Sequence, residues 1–212
     1  MERAMNFREK IEEVKPREIE EKSFAIISEE LGKRDFAPNT ELIVKRCIHT
    51  SADFDYADNL CFSQDAAVKA MEAIKRGVSV VTDTNMAKAG INKVALAKYG
   101  GNVHCFMADP DVAEAARLHG TTRASESMKK AARLGEPFIY AIGNAPTALV
   151  SLYDLIQEGK VKPELIIGVP VGFVNVVQSK ELIMSADAPY IVARGRKGGS
   201  NIAACIVNAL LY

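Results

Sequence analysis

Short apolar strands alternate with helical segments through the last two thirds of the chain, and this alternation restricts the fold more than any other feature. The predicted strands cover residues 78–82, 102–107, 138–142, 165–169 and 190–193. Each is followed by turn residues and then by apolar residues at helical spacing. Such alternation is typical of a parallel sheet with helices on both faces. We therefore predict an α/β protein: a three-layer α/β/α sandwich around a mainly parallel, five-stranded sheet.

The first third of the chain is predicted to be helical and to pack on or over this sheet. Residues up to about Lys15 are strongly charged, and a surface helix or arm is expected there. Further helices are predicted at residues 17–31, 39–49 and 64–76. Internal repeats, linkers and low-complexity segments are absent from the sequence, which favours a single domain over residues 1–212.

Composition excludes some classes of protein. The 212 residues include 27 basic and 27 acidic side chains, a formal net charge of zero, and 48% are hydrophobic. This balance argues against a nucleic-acid partner held by overall positive charge. The four scattered cysteines contain no C-x-x-C pair and are expected to be reduced thiols of a cytoplasmic protein. With no signal peptide and no uncharged stretch long enough to span a bilayer, we expect a soluble protein without a membrane partner.

Loops rich in glycine and polar residues follow four of the predicted strands. In open α/β sheets such loops share one rim, where ligands bind. The loops at 143–147 and 195–200 run directly into helix N-termini, which attract anions. Arg123, Arg196 and Lys197 would add cationic partners for carboxylates. Neither G-x-G-x-x-G nor G-x-x-x-x-G-K-[ST] is present, so the rim fits a ligand with many carboxylates better than a nucleotide.

A histidine provides the candidate for proton transfer. Arg46, His49 and Asp53 are spaced so that a continuous helix would place them on one face. His49 could exchange protons near neutral pH, although from this segment alone a helix-capping histidine is an equally good interpretation. His104 lies within an apolar strand and is expected in the core, and His119 is expected to cap a helix end. Metal-ligand spacings and hydrolase motifs are both absent, which leaves His49 as the candidate acid or base.

Several segments occur together, in the same order, in one known family. They are EKSFAII at 21–27, RCIH at 46–49, TR at 122–123, GNAPTAL at 143–149, GVPVGFV at 168–174 and GRKGGS at 195–200. Because it contains all of these segments, the chain resembles the precorrin-8X methylmutases, including the cobalt-precorrin-8 methylmutases of cobalamin biosynthesis. The resemblance extends from about residue 19 to residue 210. Two positions depart from the family pattern: Lys22 stands where arginine is usual, and Gln178 where glutamate is usual.

The resemblance implies an isomerase without a cofactor that moves a ring methyl group from C-11 to C-12 of a corrinoid precursor. The substrate is a large apolar macrocycle fringed with acetate and propionate groups, and any cobalt would arrive inside that ring. The resemblance also implies that His49 donates and accepts the proton, that Ser23 and Arg46 contact the substrate, and that the protein is a homodimer.

The other predicted substrate contacts follow the strands or belong to the matching segments. They are Asp83, Met86, Arg123, Asn144, Gly172 and Arg196. Two alternatives remain: a non-catalytic corrinoid carrier, which would use the same rim, and, less favoured, an α/β enzyme that binds a nucleotide or a sugar phosphate.

Overall fold

The computed structural model describes residue 8 and residues 11–212 of the chain. It divides into two compact units, one up to Arg34 and the other from Asp35 to Tyr212. The described part of the first unit contains helix α1 (Ile19–Leu31), which ends at Gly32, whose N–H donates to the carbonyls of two residues in the last turn. The predicted surface arm up to about Lys15 lies partly outside the described residues. The prediction of a single domain stays a prediction.

The second unit contains the sheet and the helices that cover it. Its helices are α2 (Glu41–Ser51), α3 (Tyr56–Asn59), α4 (Ala66–Lys75), α5 (Asn85–Gly90), α6 (Lys93–Ala97), α7 (Pro110–His119), α8 (Arg123–Ala132), α9 (Pro146–Gln157), α10 (Val176–Met184) and α11 (Ser200–Leu210). Its strands are β1 (Leu60–Phe62), β2 (Ser79–Thr82), β3 (Val103–His104), β4 (Phe138–Ile142), β5 (Leu165–Gly168) and β6 (Tyr190–Ala193).

Within the described residues the sheet has six strands in the order β1-β6-β5-β4-β2-β3. All neighbours pair in parallel except β1 and β6, which are antiparallel. The predicted α/β class with a mainly parallel sheet is therefore confirmed, but the predicted number of five strands is wrong. Strand β1 is held in the sheet by its pairing with β6 rather than by a strong strand pattern of its own. The strand predicted at 102–107 is also shorter, and only Val103–His104 pairs.

The core lies on both faces of the sheet. All five residues of β4 are buried, and successive side chains point to opposite faces. Phe138, Tyr140 and Ile142 pack with residues of α8, α9 and α10, which form one outer layer. Helices α4, α5 and α11 contact strands of the sheet, and α2 packs on α11, giving the second outer layer. None of the helices in the described part of the chain has both the length and the apolar character needed to cross a bilayer.

One edge of the sheet collects the loops of interest. Strands β2, β4, β5 and β6 are parallel, so their carboxyl ends meet at the same rim. Because β1 is antiparallel to β6, the amino end of β1 lies there too: Leu60 pairs with Ala193. The backbone N–H of Arg194 then donates to the carbonyl of Asn59 at 2.8 Å. The topology thereby brings the segment between α2 and β1 to the rim.

Candidate active site

A buried carboxylate holds the loop that follows β4. The side chain of Asp83, at the end of β2, is fully buried. Its oxygens accept hydrogen bonds from the backbone N–H groups of Gly143 at 2.9 Å, Asn144 at 2.8 Å and Ala145 at 2.7 Å. Burial raises the pKa of Asp83, and the three N–H donors oppose that rise. Asp83 therefore fixes the backbone that presents Asn144, whose side chain is exposed.

A buried ammonium group holds the loop that follows β6. Lys180 on α10 is fully buried. Its Nζ donates to the backbone carbonyls of Gly195 at 2.9 Å and Lys197 at 2.8 Å. Burial lowers the pKa of Lys180 to about 8. The two loops are thus secured by buried side chains of opposite charge, one accepting from N–H groups and the other donating to carbonyls.

The loops after β4 and β5 are both in direct contact with the loop after β6. A Cβ on Gly143 would lie 2.7 Å from the Cα of Ser200, and a Cβ on Gly198 would lie 2.1 Å from the carbonyl oxygen of Val169. The N–H of Gly199 donates to that same carbonyl at 2.8 Å. Only glycine allows these approaches, so the glycines at 143 and 198 are requirements of packing at the rim.

The end of α2 is joined to the loop after β6 by ion pairs. The helix ends at Ser51 because Ala52 adopts a left-handed conformation, with φ of 54°. Asp53 therefore leaves the helix, and the prediction that it shares a helical face with Arg46 and His49 is wrong. The Nζ of Lys197 instead binds the carboxylate of Asp53 at 2.7 Å and that of Asp55 at 2.6 Å. The hydrogen bond from Lys197 lowers the pKa of Asp53.

Arg46 and His49 both lie in the last two turns of α2, three residues apart. The side chain of His49 is exposed, and Arg46 is half-buried. The guanidinium carbon of Arg46 lies 5.7 Å from the ring centroid of Tyr212. Arg46 and the exposed Met86 on α5 line the same cavity of about 330 Å³. The structure thus brings two of the predicted substrate contacts together.

Arg123 begins α8, where its side chain is exposed. The preceding residue, Thr122, caps this helix by accepting the N–H of Ser125 at 3.1 Å. The hydroxyl groups of Thr122 and Thr147 are 2.8 Å apart. Because Thr147 is in the first turn of α9, the start of α8 lies beside the loop that carries Asn144.

Gly172 and Arg196 meet between the loops after β5 and β6. The N–H of Gly172 donates to the carbonyl of Arg196 at 3.2 Å. The guanidinium carbon of Arg196 lies 5.4 Å from the ring centroid of Phe173, a contact typical of cation–π pairs. Phe173 is 82% exposed and Val174 is 79% exposed. Both apolar residues belong to the segment GVPVGFV but were not among the predicted substrate contacts, although an aromatic residue directly after a glycine of a rim loop was a signal for one.

The remaining candidate, Ser23, and the two other histidines belong to α1, β3 and α7. Ser23 belongs to α1 in the first unit, where it is half-buried. His104 is half-buried in β3, with its ring centroid 5.8 Å from that of Phe106. His119 lies 3.3 Å from the carboxylate of Glu126. In the described ranges, no three His, Cys, Asp or Glu side chains are arranged to hold a metal ion.

Comparisons with known proteins identify relatives over most of the sequence. The model of the family described as precorrin-8X methylmutase matches residues 18–212. The cobalt-precorrin-8 methylmutase of Priestia megaterium is 45% identical over 197 residues, covering 93% of this chain and 88% of that protein. The cobalt-precorrin-8 methylmutase of Salmonella typhimurium is 44% identical over 203 residues, covering 93% of this chain and 95% of that protein.

A solved structure agrees with this result. The crystal structure of precorrin-8x methyl mutase from Thermus thermophilus superposes with a TM-score of 0.84 and 38% sequence identity. The superposition covers 92% of this chain and 96% of the other.

Proposed function

Because the chain belongs to the precorrin-8X methylmutase family, we propose that it is an isomerase of corrin biosynthesis that moves a ring methyl group from C-11 to C-12 of its substrate. The family resemblance predicted from the sequence motifs is confirmed. The observation that carries the proposal is the match over residues 18–212, which includes the whole rim and the end of α2. The reaction is intramolecular, so the protein has to bind, orient and protonate one macrocycle.

Charges and apolar side chains on the rim support a substrate of this kind. Arg123 and Arg196 are exposed on loops or helix starts at the carboxyl edge of the sheet. Arginine binds carboxylates through two parallel hydrogen bonds, which suits acetate and propionate side arms. Phe173 and Val174 are exposed beside Arg196 and offer apolar surface to the flat face of a conjugated ring.

His49 is proposed as the acid and base of the reaction. It would donate a proton to a ring nitrogen, or to a position conjugated with it, and make the macrocycle more electron-deficient. The methyl group would then migrate by a [1,5]-sigmatropic shift, and His49 would recover the proton. The exposed position of His49 at the end of α2 leaves its imidazole accessible to a ligand on the rim.

The other predicted contacts have separate roles in this proposal. Arg46 and Met86 contact the substrate from the cavity that they share. Asn144 and Gly172 contact it from the loops after β4 and β5. Asp83, whose oxygens already accept three N–H groups, acts by holding the loop that carries Asn144.

Ser23 is proposed as a further substrate contact. Its hydroxyl can donate a hydrogen bond to a substrate carboxylate. Its assignment rests on the sequence segment around it, which lies within the family match.

We further propose that the substrate carries cobalt, which would belong to the ring and not to the protein. The two relatives at 45% and 44% identity are both named cobalt-precorrin-8 methylmutases. Parallel assays with the cobalt-containing and the metal-free substrate test this point. A higher kcat/KM for the metal-free ring would contradict it.

A homodimer in the cytoplasm is the proposed assembly and location. The cavity beside Arg46 measures about 330 Å³, which is small for a corrinoid, and the apolar residues of the rim are exposed. A second subunit would complete the enclosure of the ring. Sedimentation at micromolar concentration should give twice the 23.0 kDa mass of the chain. The four free thiols support a reducing compartment.

Replacement of His49 tests the proposed chemistry. In His49→Ala, turnover of the substrate should fall by at least about 100-fold, because positioned acid–base groups typically contribute that much. Binding, measured by the shift of the visible spectrum, should be retained. His119→Ala, which removes an exposed histidine from α7, serves as the matched control and should leave turnover unchanged.

The same assay distinguishes an isomerase from a corrinoid carrier. A wild-type protein that binds one equivalent of substrate and converts no excess would be a carrier. Unchanged turnover in His49→Ala would exclude His49 as the proton donor while leaving the isomerase activity in place.

A further inference from the structure

Helices α2, α5 and α11 line a cavity, and one of its lining residues is a cysteine. The cavity measures about 330 Å³, and its lining includes Arg46, Thr50, Met86, Asn201, Cys205 and Asn208. Arg46 brings a positive charge to it, while Asn201 is exposed at its edge. The proposed isomerisation uses Arg46 of this cavity as a substrate contact but gives no role to the thiol of Cys205.

Cys205 lies among groups that stabilise a thiolate. The hydroxyl of Thr50 donates a hydrogen bond to its Sγ at 3.2 Å. The thiol of Cys47 on α2, which is 0% exposed, interacts with the thiol of Cys205. The interaction with Cys47, the hydrogen bond from Thr50 and the charge of Arg46 lower the pKa of Cys205 against the opposing effect of burial, while the pKa of Cys47 is raised. A low pKa in an electropositive, partly accessible position is what distinguishes reactive from inert cysteines.

The other cysteines provide an internal comparison. Cys61 lies on the edge strand β1, and Cys105 follows β3; both are half-buried. Cys61 donates only to the carbonyl of Asn59, at 3.7 Å. Neither residue lines the cavity that contains Arg46. Their accessibility is greater than that of Cys205, so simple exposure would make them the more reactive thiols.

We propose that Cys205 is a covalent modification site for small electrophiles that carry a carboxylate. The carboxylate binds Arg46 inside the cavity and brings the electrophilic carbon to the sulfur. The thiolate then attacks that carbon, a C–S bond forms, and the leaving group departs as an anion with its bonding electron pair. The product is a thioether on α11, and no oxidant or reductant is needed.

The proposal is tested by comparing how fast a negatively charged and a neutral alkylating reagent modify each cysteine. The full-length protein is treated separately with iodoacetate and iodoacetamide at pH 7, and modification of each cysteine is followed by peptide mass spectrometry. We expect the rate ratio of iodoacetate to iodoacetamide to be about tenfold higher at Cys205 than at Cys61 or Cys105, since an attraction of about 1.4 kcal/mol changes a rate tenfold.

Two variants separate reactivity from folding. Cys205→Ser should abolish the fast carboxymethylation and leave the labelling of Cys61 and Cys105 unchanged. Arg46→Met should remove the preference for iodoacetate at Cys205 while iodoacetamide still reacts. Circular dichroism spectra check that both variants are folded. Because the readout is peptide mass, the result is independent of the proposed isomerase activity.

Two outcomes would overturn the proposal. One is a folded wild-type protein in which Cys205 stays unmodified by both reagents until denaturant is added. The other is a ratio of iodoacetate to iodoacetamide rates that is equal at all three cysteines.

Discussion

The ammonium group of Lys197 binds the carboxylate of Asp53 at 2.7 Å, which joins the loop after β6 to the segment after α2. Asp55 is bound by the same ammonium group at 2.6 Å. His49 lies four residues before Asp53, and Arg196 directly precedes Lys197. The ion pair between Asp53 and Lys197 therefore connects the segment that follows His49, the proposed proton donor, to the loop that carries Arg196, a proposed substrate contact.

Removal of this ion pair should impair catalysis more than folding. In Lys197→Met, the segment after α2 is no longer held, so we expect kcat/KM to fall about tenfold through misplacement of His49. Hydrogen exchange of the amides at residues 53–59 should become faster. Lys160→Met, which breaks an exposed pair with Glu158 of 2.7 Å, is the matched control. Equal activity in the two variants would contradict the prediction.

The ion pair also predicts a dependence of stability on pH. Lys197 lowers the pKa of Asp53, so the folded state gains stability from this group above the ordinary carboxyl pKa. That contribution should be lost as the pH falls below about 4. Urea unfolding of the wild type and of Lys197→Met should give curves that converge in this range. If the difference in the free energy of unfolding between the two proteins stayed constant down to the lowest pH, the ion pair between Asp53 and Lys197 would not be its source.

Two glycines of one loop should respond differently to alanine. A Cβ on Gly198 would collide with the carbonyl of Val169, whereas a Cβ on Gly195 would meet nothing within 4 Å. Gly198→Ala should therefore lower the free energy of unfolding by more than about 3 kcal/mol. Gly195 has a φ of 76°, so an alanine there would be strained only by its left-handed backbone conformation. Gly195→Ala should therefore lower the free energy of unfolding by about 1 kcal/mol. Denaturant titration measures the free energy of unfolding of both variants. Similar decreases in the two would mean that the loop can shift to accommodate a Cβ at Gly198.

The lowered pKa of Lys180 predicts that the free energy of unfolding rises as the pH becomes alkaline. Its pKa is lowered to about 8 in the folded state, so the unfolded chain holds this proton more tightly. Stability should accordingly rise between pH 8 and the ordinary lysine pKa, by the linkage between proton binding and folding. Lys180→Met removes this rise and, at pH 7, should lower the free energy of unfolding by about 2 kcal/mol through the loss of two hydrogen bonds. Lys160→Met should keep the alkaline rise.

Arg123 should contribute to substrate binding without contributing to the fold. Its side chain is exposed, so Arg123→Met should leave thermal unfolding unchanged. Loss of one charge-assisted bond to a carboxylate, about 1.4 kcal/mol, should raise the substrate Kd about tenfold. Arg117→Met on α7, where the arginine pairs only loosely with Glu114, provides the control. If Arg123→Met and Arg117→Met had the same Kd for the substrate, Arg123 would not be a substrate contact.

Central strands could be predicted from the sequence with their bounds, whereas of the two edge strands β1 was missed and β3 was predicted too long. The predicted bounds of β4 and β6 agree with the structure because buried parallel strands are continuous apolar runs. Strand β1 has three residues and is stabilised by pairing with β6, a partner more than 100 residues away. Edge strands of this length depend on tertiary contacts that no local pattern encodes.

The candidate site residues were chosen by residue type, and the contacts that hold them in place could not be predicted in this way. The rim and its loops followed from the rule that ligands bind at the carboxyl ends of parallel strands. The helix predicted at 39–49 ends close to the observed end of α2 at Ser51, but the left-handed turn at Ala52 was not predicted because alanine rarely adopts this conformation. The inward orientation of Asp83 and the burial of Lys180 were also missed, since a charged residue in a sequence gives no sign of which backbone it will hold.

The contacts of Asp83 and Lys180 have a consequence for the entropy of binding. They and the close glycine contacts hold the backbone of the loops at 143–145 and 195–200 through contacts within the protein itself. The backbone entropy of these loops is therefore lost when the chain folds and not when the macrocycle arrives. If the substrate binds as proposed, the groups left to be ordered on binding are exposed side chains, Arg123, Phe173 and Arg196 among them.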